Sequence, residues 1–257
     1  MIYAFFCDGN GYDSVADIVE SNKQQLSVFD VPNYEVFDLK TTDLLGRIKK
    51  GDVVILDTIS SLANTTRGDL KIGNDPTQSY WAKRDKFMGD SMNRNAYDAA
   101  GQLILRRLKD FKAVGANIIV TVHESEREDM TVVPPMKKRA PDVNAALMGN
   151  LIGSSSDVVR LYVNADPVLD GEGKVKYPAR SRMLQLGPSD EFVSKVHVPL
   201  EMSGKVPQVI KRPSYPKLCK ALGKTPTWVT VYGPPGAGKT TFALSMFLDP
   251  KGEGIGI

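Results

Sequence analysis

The chain has little cysteine, no long apolar run and little net charge, and each shortage removes a class of protein. Cys7 and Cys219 are the two cysteines, both in apolar surroundings without metal-ligand spacing. That excludes a disulfide framework and points to buried thiols in a reducing compartment. No stretch reaches the ~18 apolar residues that a membrane helix needs. Residues 1–7 are apolar but lack a basic leader and run straight into Asp8, so no signal peptide is expected either. The expected location is cytoplasmic, with no membrane partner. A net charge of +3 permits contact with nucleic acid without arguing for it. What is left, in 257 residues with 42% hydrophobic and 25% charged content, fits one α/β domain able to bury a substantial core.

The most informative stretch lies late in the chain. Residues 229–241 read Val-Thr-Val-Tyr-Gly-Pro-Pro-Gly-Ala-Gly-Lys-Thr-Thr, and Phe242, Ala243, Leu244, Met246 and Phe247 follow with helical spacing. A β-branched run, a glycine-rich turn and an apolar-periodic segment predict strand, loop and helix. This is the context that G-x-x-x-x-G-K-[ST] requires: glycines let backbone N–H groups turn around phosphate oxygens, and the helix presents its positive end to the same anion. Gly233, Pro234, Pro235, Gly236, Ala237, Gly238, Lys239, Thr240 and Thr241 are therefore the candidate nucleotide-binding loop. Lys239 is placed to neutralise β/γ-phosphates and Thr240 to ligate Mg²⁺. So few residues follow that the other strands of a nucleotide-binding sheet must precede this loop.

Taken in order, residues 1–7 predict a central parallel strand ending at the turn cluster Asp8-Gly9-Asn10-Gly11, and residues 13–20 a short helix. A second strand is expected over 34–39 and a helix over 42–50. Residues 53–57, Val-Val-Ile-Leu-Asp, describe a Walker B strand whose Asp57 faces the loop and holds the water shell of Mg²⁺. The polar stretch 64–93 mixes Arg67, Lys71, Trp81, Lys83 and Arg84 with acids. It reads either as a single-strand contact, with aromatics stacking on bases and cations following phosphates, or as a helix packed on the body. Residues 94–114 are the clearest helix, and 117–123 form another buried strand. That strand ends in His123, a group that senses a γ-phosphate or positions the attacking water, or is simply a satisfied strand-end histidine.

Residues 124–153 read as a long, poorly patterned and mobile segment in which Lys137, Lys138 and Arg139 either contact phosphates or form a solvated charge run. A strand over 158–163 and a meander over 180–186 and 193–198 follow. There Arg180, Arg182 and Lys195 are candidates for cations acting on a neighbouring subunit's nucleotide, or ordinary surface charge. Residues 202–227 look like a basic, proline-rich connector or leader before a short helix. The expected division is thus a core over 1–201, a connector over 202–227, and over 228–257 the loop strand and helix that complete the same core.

If residue 257 is joined in imagination to Met1, the order of elements resembles that of a RecA-like P-loop ATPase, circularly permuted. Nearly the whole chain then resembles the compact RecA-like ATPases of bacteriophages that act in single-strand annealing and recombination. Residues 233–241 match the family's P-loop, Val53 to Asp57 with Thr58, Ile59, Ser60 and Ser61 its Walker B strand and hydroxyl-rich turn, and the strand ending in His123 its sensor strand. Phe6-Cys7-Asp8-Gly9-Asn10 resembles the acidic-glycine segment whose carboxylate orients attacking water, with a shorter acid, Asp8, for the usual glutamate. The resemblance implies an α/β fold with a mostly parallel sheet flanked by helices and an antiparallel meander. It implies catalytic roles for Lys239, Asp8, His123 and Asp57, with ATP and Mg²⁺ as ligands. Single-stranded DNA and a homo-oligomeric ring or filament are the implied partners, in the host cytoplasm for a phage-encoded protein. Two other readings share the core: a non-hydrolysing, nucleotide-switched assembly or DNA-binding module, and a packaging or helicase motor. A permuted GTPase is disfavoured, because no Asn-Lys-x-Asp is present and the second motif reads Asp-Thr-Ile-Ser rather than Asp-x-x-Gly.

Overall fold

The structure, a computed structural model, describes residues 1–8, 12–72, 92–129, 136–187 and 189–248. Its elements are β1 (Ile2–Phe6), α1 (Ala16–Ser21), β2 (Leu26–Asp30), α2 (Tyr34–Leu45), β3 (Val53–Asp57) and α3 (Ile59–Ile72). Next come α4 (Met92–Ala113), β4 (Asn117–Asp129), β5 (Met136–Pro141), α5 (Ala145–Ser154) and β6 (Asp157–Val163). The remainder are β7 (Val168–Leu169), β8 (Val175–Tyr177), β9 (Arg182–Gln185), β10 (Val209–Lys211), α6 (Tyr215–Leu222), β11 (Trp228–Gly233) and α7 (Lys239–Leu248).

The main sheet runs β10-β9-β6-β11-β4-β3-β1-β2. From β6 to β2 all neighbours are parallel, and β9 and β10 add an antiparallel end. This is an α/β fold with a mostly parallel, mixed sheet flanked by helices. Side chains alternate across each strand, so each strand feeds two cores. Phe5, Val54, Leu56, Ile118, Val120, Trp228 and Tyr232 pack with α2, α3, α4 and α5 on one face. Ala4, Phe6, Ile55, Ile119, Val229, Val231 and Leu184 pack with α1, α6 and α7 on the other. Covering both faces is why β3 and β11 read as continuous apolar runs. Burying each such large side chain contributes about 1.5–3 kcal/mol.

Four expectations are revised. Tyr34 to Leu39 is not a strand but the first half of α2. The Asn33 side chain accepts from Val36 N at 2.9 Å, and Phe37, Thr41 and Leu44 bury one helical stripe. The strand of that region is β2, a few residues earlier. Residues 124–129 and 136–153 carry regular structure: β4 runs 13 residues, leaving the main sheet to pair with β5 as an antiparallel ribbon, and α5 follows. Residues 193–198 carry only the single bridge between Lys195 and Val158. The stretch read as a connector supplies β10 at the sheet edge and α6 on its face. Ser214 caps that helix, Gly223 closes it at φ 65°, and Leu218 and Leu222 are fully buried. Among the described residues no helix is long and apolar enough to cross a membrane.

Candidate nucleotide-binding site

The site begins where β11 runs out. A Cβ on Gly233 would lie 1.8 Å from the Leu161 carbonyl oxygen of β6, so only glycine fits the strand's last position. The loop then turns through Gly236 at φ +74° and Gly238 at φ +88°, left-handed conformations that favour glycine. It enters α7 at Lys239, with Phe242 N donating to Gly238 O at 2.8 Å as an early helical bond. The Lys239 ammonium is buried and donates to the loop's own carbonyls, Gly233 O and Pro234 O, each at 3.0 Å.

Parallel pairing lays the ends of β3, β4 and β1 along the same edge. The Thr240 hydroxyl donates to Asp57 Oδ2 at 2.5 Å, and the Thr121 hydroxyl donates to Asp57 Oδ1. Asp57 is only 2% exposed, and the peptide bond to Thr58 is cis. Burial pushes the Asp57 carboxyl above its ordinary range; the two hydroxyls and Lys239 oppose this, while the nearby Asp8 charge adds to it. Burial pushes Lys239 down, against the pull of Asp57, Asp8 and Glu124. By alternation, Asp8, Asp57, Thr121 and His123 all fall on the α7 face of their strands, continuing Phe6, Ile55 and Ile119.

Two polar atoms here are buried without a partner among the described residues: Asp8 Oδ1 and His123 Nδ1. The His123 ring is otherwise held loosely, Nε2 lying 3.5 Å from Thr58 Oγ1. Its backbone N–H is fixed by Ser60 Oγ at 3.1 Å, and that hydroxyl in turn donates to Asp142 O at 2.8 Å. Buried polar atoms normally find partners, so these two mark a place shaped for something polar to enter.

No protein-family model, curated protein or solved structure matches this chain.

The geometry therefore carries the chemistry by itself. Lys239, Asp57, Thr240, Asp8 and His123 come together although their numbers span the chain. The cations first considered as acting on a neighbouring subunit separate into three cases. Arg182, at the start of β9, lies against this chain's own loop: a Cβ on Gly238 would sit 2.9 Å from its Nε. Lys195 is engaged elsewhere, donating to Ile152 O and Ser155 O at 2.9 Å each, where it caps α5. That use of its ammonium corrects the expectation for Lys195. Arg180 is exposed at φ 58° and makes no contact with the loop that the structure records.

Of the nucleic-acid candidates, Trp81, Lys83 and Arg84 lie outside the described residues. Arg67 and Lys71 lie on the later turns of α3, their side chains likewise outside. On the ribbon, Lys137 pairs with Glu126 at 2.8 Å and Arg139 approaches Glu124 at 3.9 Å, so the basic run is largely answered by its own partner strand. Lys138 stands opposite Arg127.

Three neighbours of the site went unread in the sequence. Thr121 sits two residues before His123 and so shares its face, a signal that was there to be used. Glu124 and Arg160 form a bidentate pair, Nε to Oε2 at 2.5 Å and an Nη to Oε1 at 3.0 Å, with the guanidinium over the Tyr162 and Phe192 rings at 4.6 and 4.3 Å. Nothing in the sequence links residues so far apart.

Among the described residues no group of three or more His, Cys, Asp or Glu could form a metal site. The Thr240 hydroxyl and the Asp57 carboxylate beside the glycine-rich loop nonetheless suit Mg²⁺, a cation that keeps several waters and is bound through one or two carboxylates.

Proposed function

We propose that the chain binds and hydrolyses ATP at this loop, in a RecA-like core of circularly permuted order, and that it acts on single-stranded DNA as a homo-oligomeric ring or filament of the phage annealing and recombination kind. One observation carries the nucleotide part of the reading. Thr240, at the N-terminus of α7, bonds to Asp57 at 2.5 Å beside a buried lysine, across 183 residues of chain. No packing need explains a buried lysine, a buried carboxylate and two unpartnered polar atoms at one sheet edge, whereas an anion accompanied by a cation does.

The loop's N–H groups and the helix end hold the phosphates. Lys239 leaves the carbonyls of Gly233 and Pro234 to neutralise developing charge on the transferred phosphoryl group. Thr240 directly, and Asp57 through water, would hold Mg²⁺, which supplies Lewis-acid charge to the phosphate oxygens when bound. Asp8 accepts a hydrogen bond from the attacking water and orients it. His123, with Nδ1 unanswered, reports the γ-phosphate. The DNA part of the reading rests on the resemblance of element order and on Lys138, a half-buried cation of the ribbon that stands opposite Arg127.

Turnover measured with ATP and with GTP, each with and without single-stranded DNA, tests both parts. The expected result is ATP hydrolysis that rises with DNA and disappears in Lys239→Ala. Nucleotide binding without turnover under any condition would favour the switched-assembly reading instead. DNA affinity should fall with salt at a log–log slope of roughly −0.7 per phosphate contacted. A flat response would remove the DNA claim.

A further inference from the structure

The strand order gives the loop two unlike sides. Toward β4, β3 and β1 lie Asp57 and Asp8, the acids that the proposed function assigns to the cation and the attacking water. Toward β6 and β9 lies Arg182. β9 runs antiparallel to β6, which puts its first residue, not its last, at the edge where β11 meets the loop; Val163 and Arg182 are register partners there. Arg182 alternates with Leu184 and Leu186, which pack with α7 on that face of the sheet, so its side chain leaves the strand on the loop's side. A Cβ on Gly238 would lie 2.9, 3.3 and 3.5 Å from Arg182 Nε, Cζ and Cδ. The main chain is fixed from both neighbours, by β6 pairing and by Arg212 N donating to Arg182 O at 2.9 Å. Among the described residues the guanidinium has no carboxylate within ion-pair distance, unlike Arg107 and Arg160, which both do.

We infer that Arg182 is a phosphate-binding cation acting in cis: it grips the diphosphate part of the nucleotide held by its own loop, from the side away from Asp57. The inference rests on the proposed nucleotide site and adds to it a residue and a direction. The terminal phosphate belongs near Lys239, Asp57 and Asp8, so the nucleotide must leave the loop toward β6 and β9, where a planar guanidinium can meet two phosphate oxygens at once. Because those oxygens are common to ADP and ATP, Arg182 contributes equally to both. An arginine reaching in from a neighbouring subunit would instead act on the terminal phosphate alone.

Equilibrium binding of ADP and of a non-hydrolysable ATP analogue to the full chain tests this, with wild type, Arg182→Ala, Arg182→Lys and Lys239→Ala compared and folding checked by circular dichroism. The expected result is that Arg182→Ala weakens both ligands by a similar factor, roughly ten- to a hundredfold. Arg182→Lys should regain part of the loss, since it restores charge without the fork. Loss for the analogue alone, or unchanged affinity for both, overturns the cis assignment while wild-type binding keeps the nucleotide site. If wild type binds neither ligand, the site and the assignment fall together. A second readout separates cis from trans. Mixing Arg182→Ala with Lys239→Ala protein should restore no turnover; restored turnover would mean that the arginine serves the neighbouring subunit.

Discussion

Two clusters of buried charge lie along the carboxyl edge of one sheet, on its opposite faces. On the face of α2 to α5, Arg160 and Glu124 are joined bidentately and the guanidinium lies over two rings. On the face of α7, Asp57 and Lys239 are buried just as deeply, yet burial works against the charge of each, and Asp8 and His123 beside them keep polar atoms without a partner among the described residues. Glu124 and His123 are consecutive, so one strand serves both. The contrast separates a strut from a site. The Arg160–Glu124 pair holds the ribbon and the 192–193 segment to the core, whereas Asp57 and Lys239 rest on hydroxyls and loop carbonyls, contacts that the proposed ligand would replace.

The largest effect on stability should come from breaking the strut. Arg160→Ala leaves the largely buried Glu124 with only the 3.9 Å approach of Arg139, and urea unfolding should show a loss of about 3 kcal/mol. Replacing both together, Arg160→Met with Glu124→Leu, should recover most of it. If the double variant is as unstable as the single, the pair is not the strut described. Next comes Lys239→Met, for which turnover should fall by about 10²–10³, close to 3–4 kcal/mol of barrier. Its melting temperature should hold or rise, because the ammonium is buried at a cost. A drop matching that of Arg160→Ala would erase the distinction between the two clusters.

A third, milder case lies between α2 and α4. Asp38 accepts from Arg107 at 2.6 Å, which holds its carboxyl below the ordinary range, and burial with the Asp38 charge pushes Tyr34 up to about 12. The folded state therefore keeps Asp38 ionised at a pH where the unfolded chain takes up a proton. The contribution is fully present above the unfolded carboxylate value and lost as pH falls through the folded one. For so exposed a pair it is about 1 kcal/mol or less. Asp38→Asn should flatten the stability profile below pH ~4 and change little at neutrality. Smallest of all, Lys137→Ala removes a solvent-exposed pair on the ribbon and should leave the melting temperature unchanged within error.

Much of this was legible in the residues, for stated reasons. The loop from Gly233 to Thr241 and the strand ending in Asp57 announce themselves because backbone turns and buried strands need few residue types. Their meeting followed from alternation and from the rule that open sheets bind ligands at their carboxyl edge. Residues 34–39 misled because Tyr34, Val36 and Phe37 favour strands, while the deciding feature was one cap at Asn33. The run 124–129 looked like a loop because its acids find their bases only on β5, and a charge pattern shows no partner strand until the two are aligned. Arg182 was recognised as a cation of interest, but its side of the loop depended on the direction of β9.

The place of β11 bears on how the chain is made. In the sheet it is flanked by β4 and β6, both of which leave the ribosome well before it. Between the synthesis of β6 and that of β11, these two strands lack the neighbour that separates them in the sheet, and each keeps a row of unpaired amides and carbonyls on that side. β11 then enters between neighbours already made and does not extend an edge, and its Gly233 seats against the Leu161 carbonyl. The strand that carries the glycine-rich loop is thus also the one that joins the two halves of the sheet. A chain stalled before it exposes a cleft suited to capturing any foreign strand.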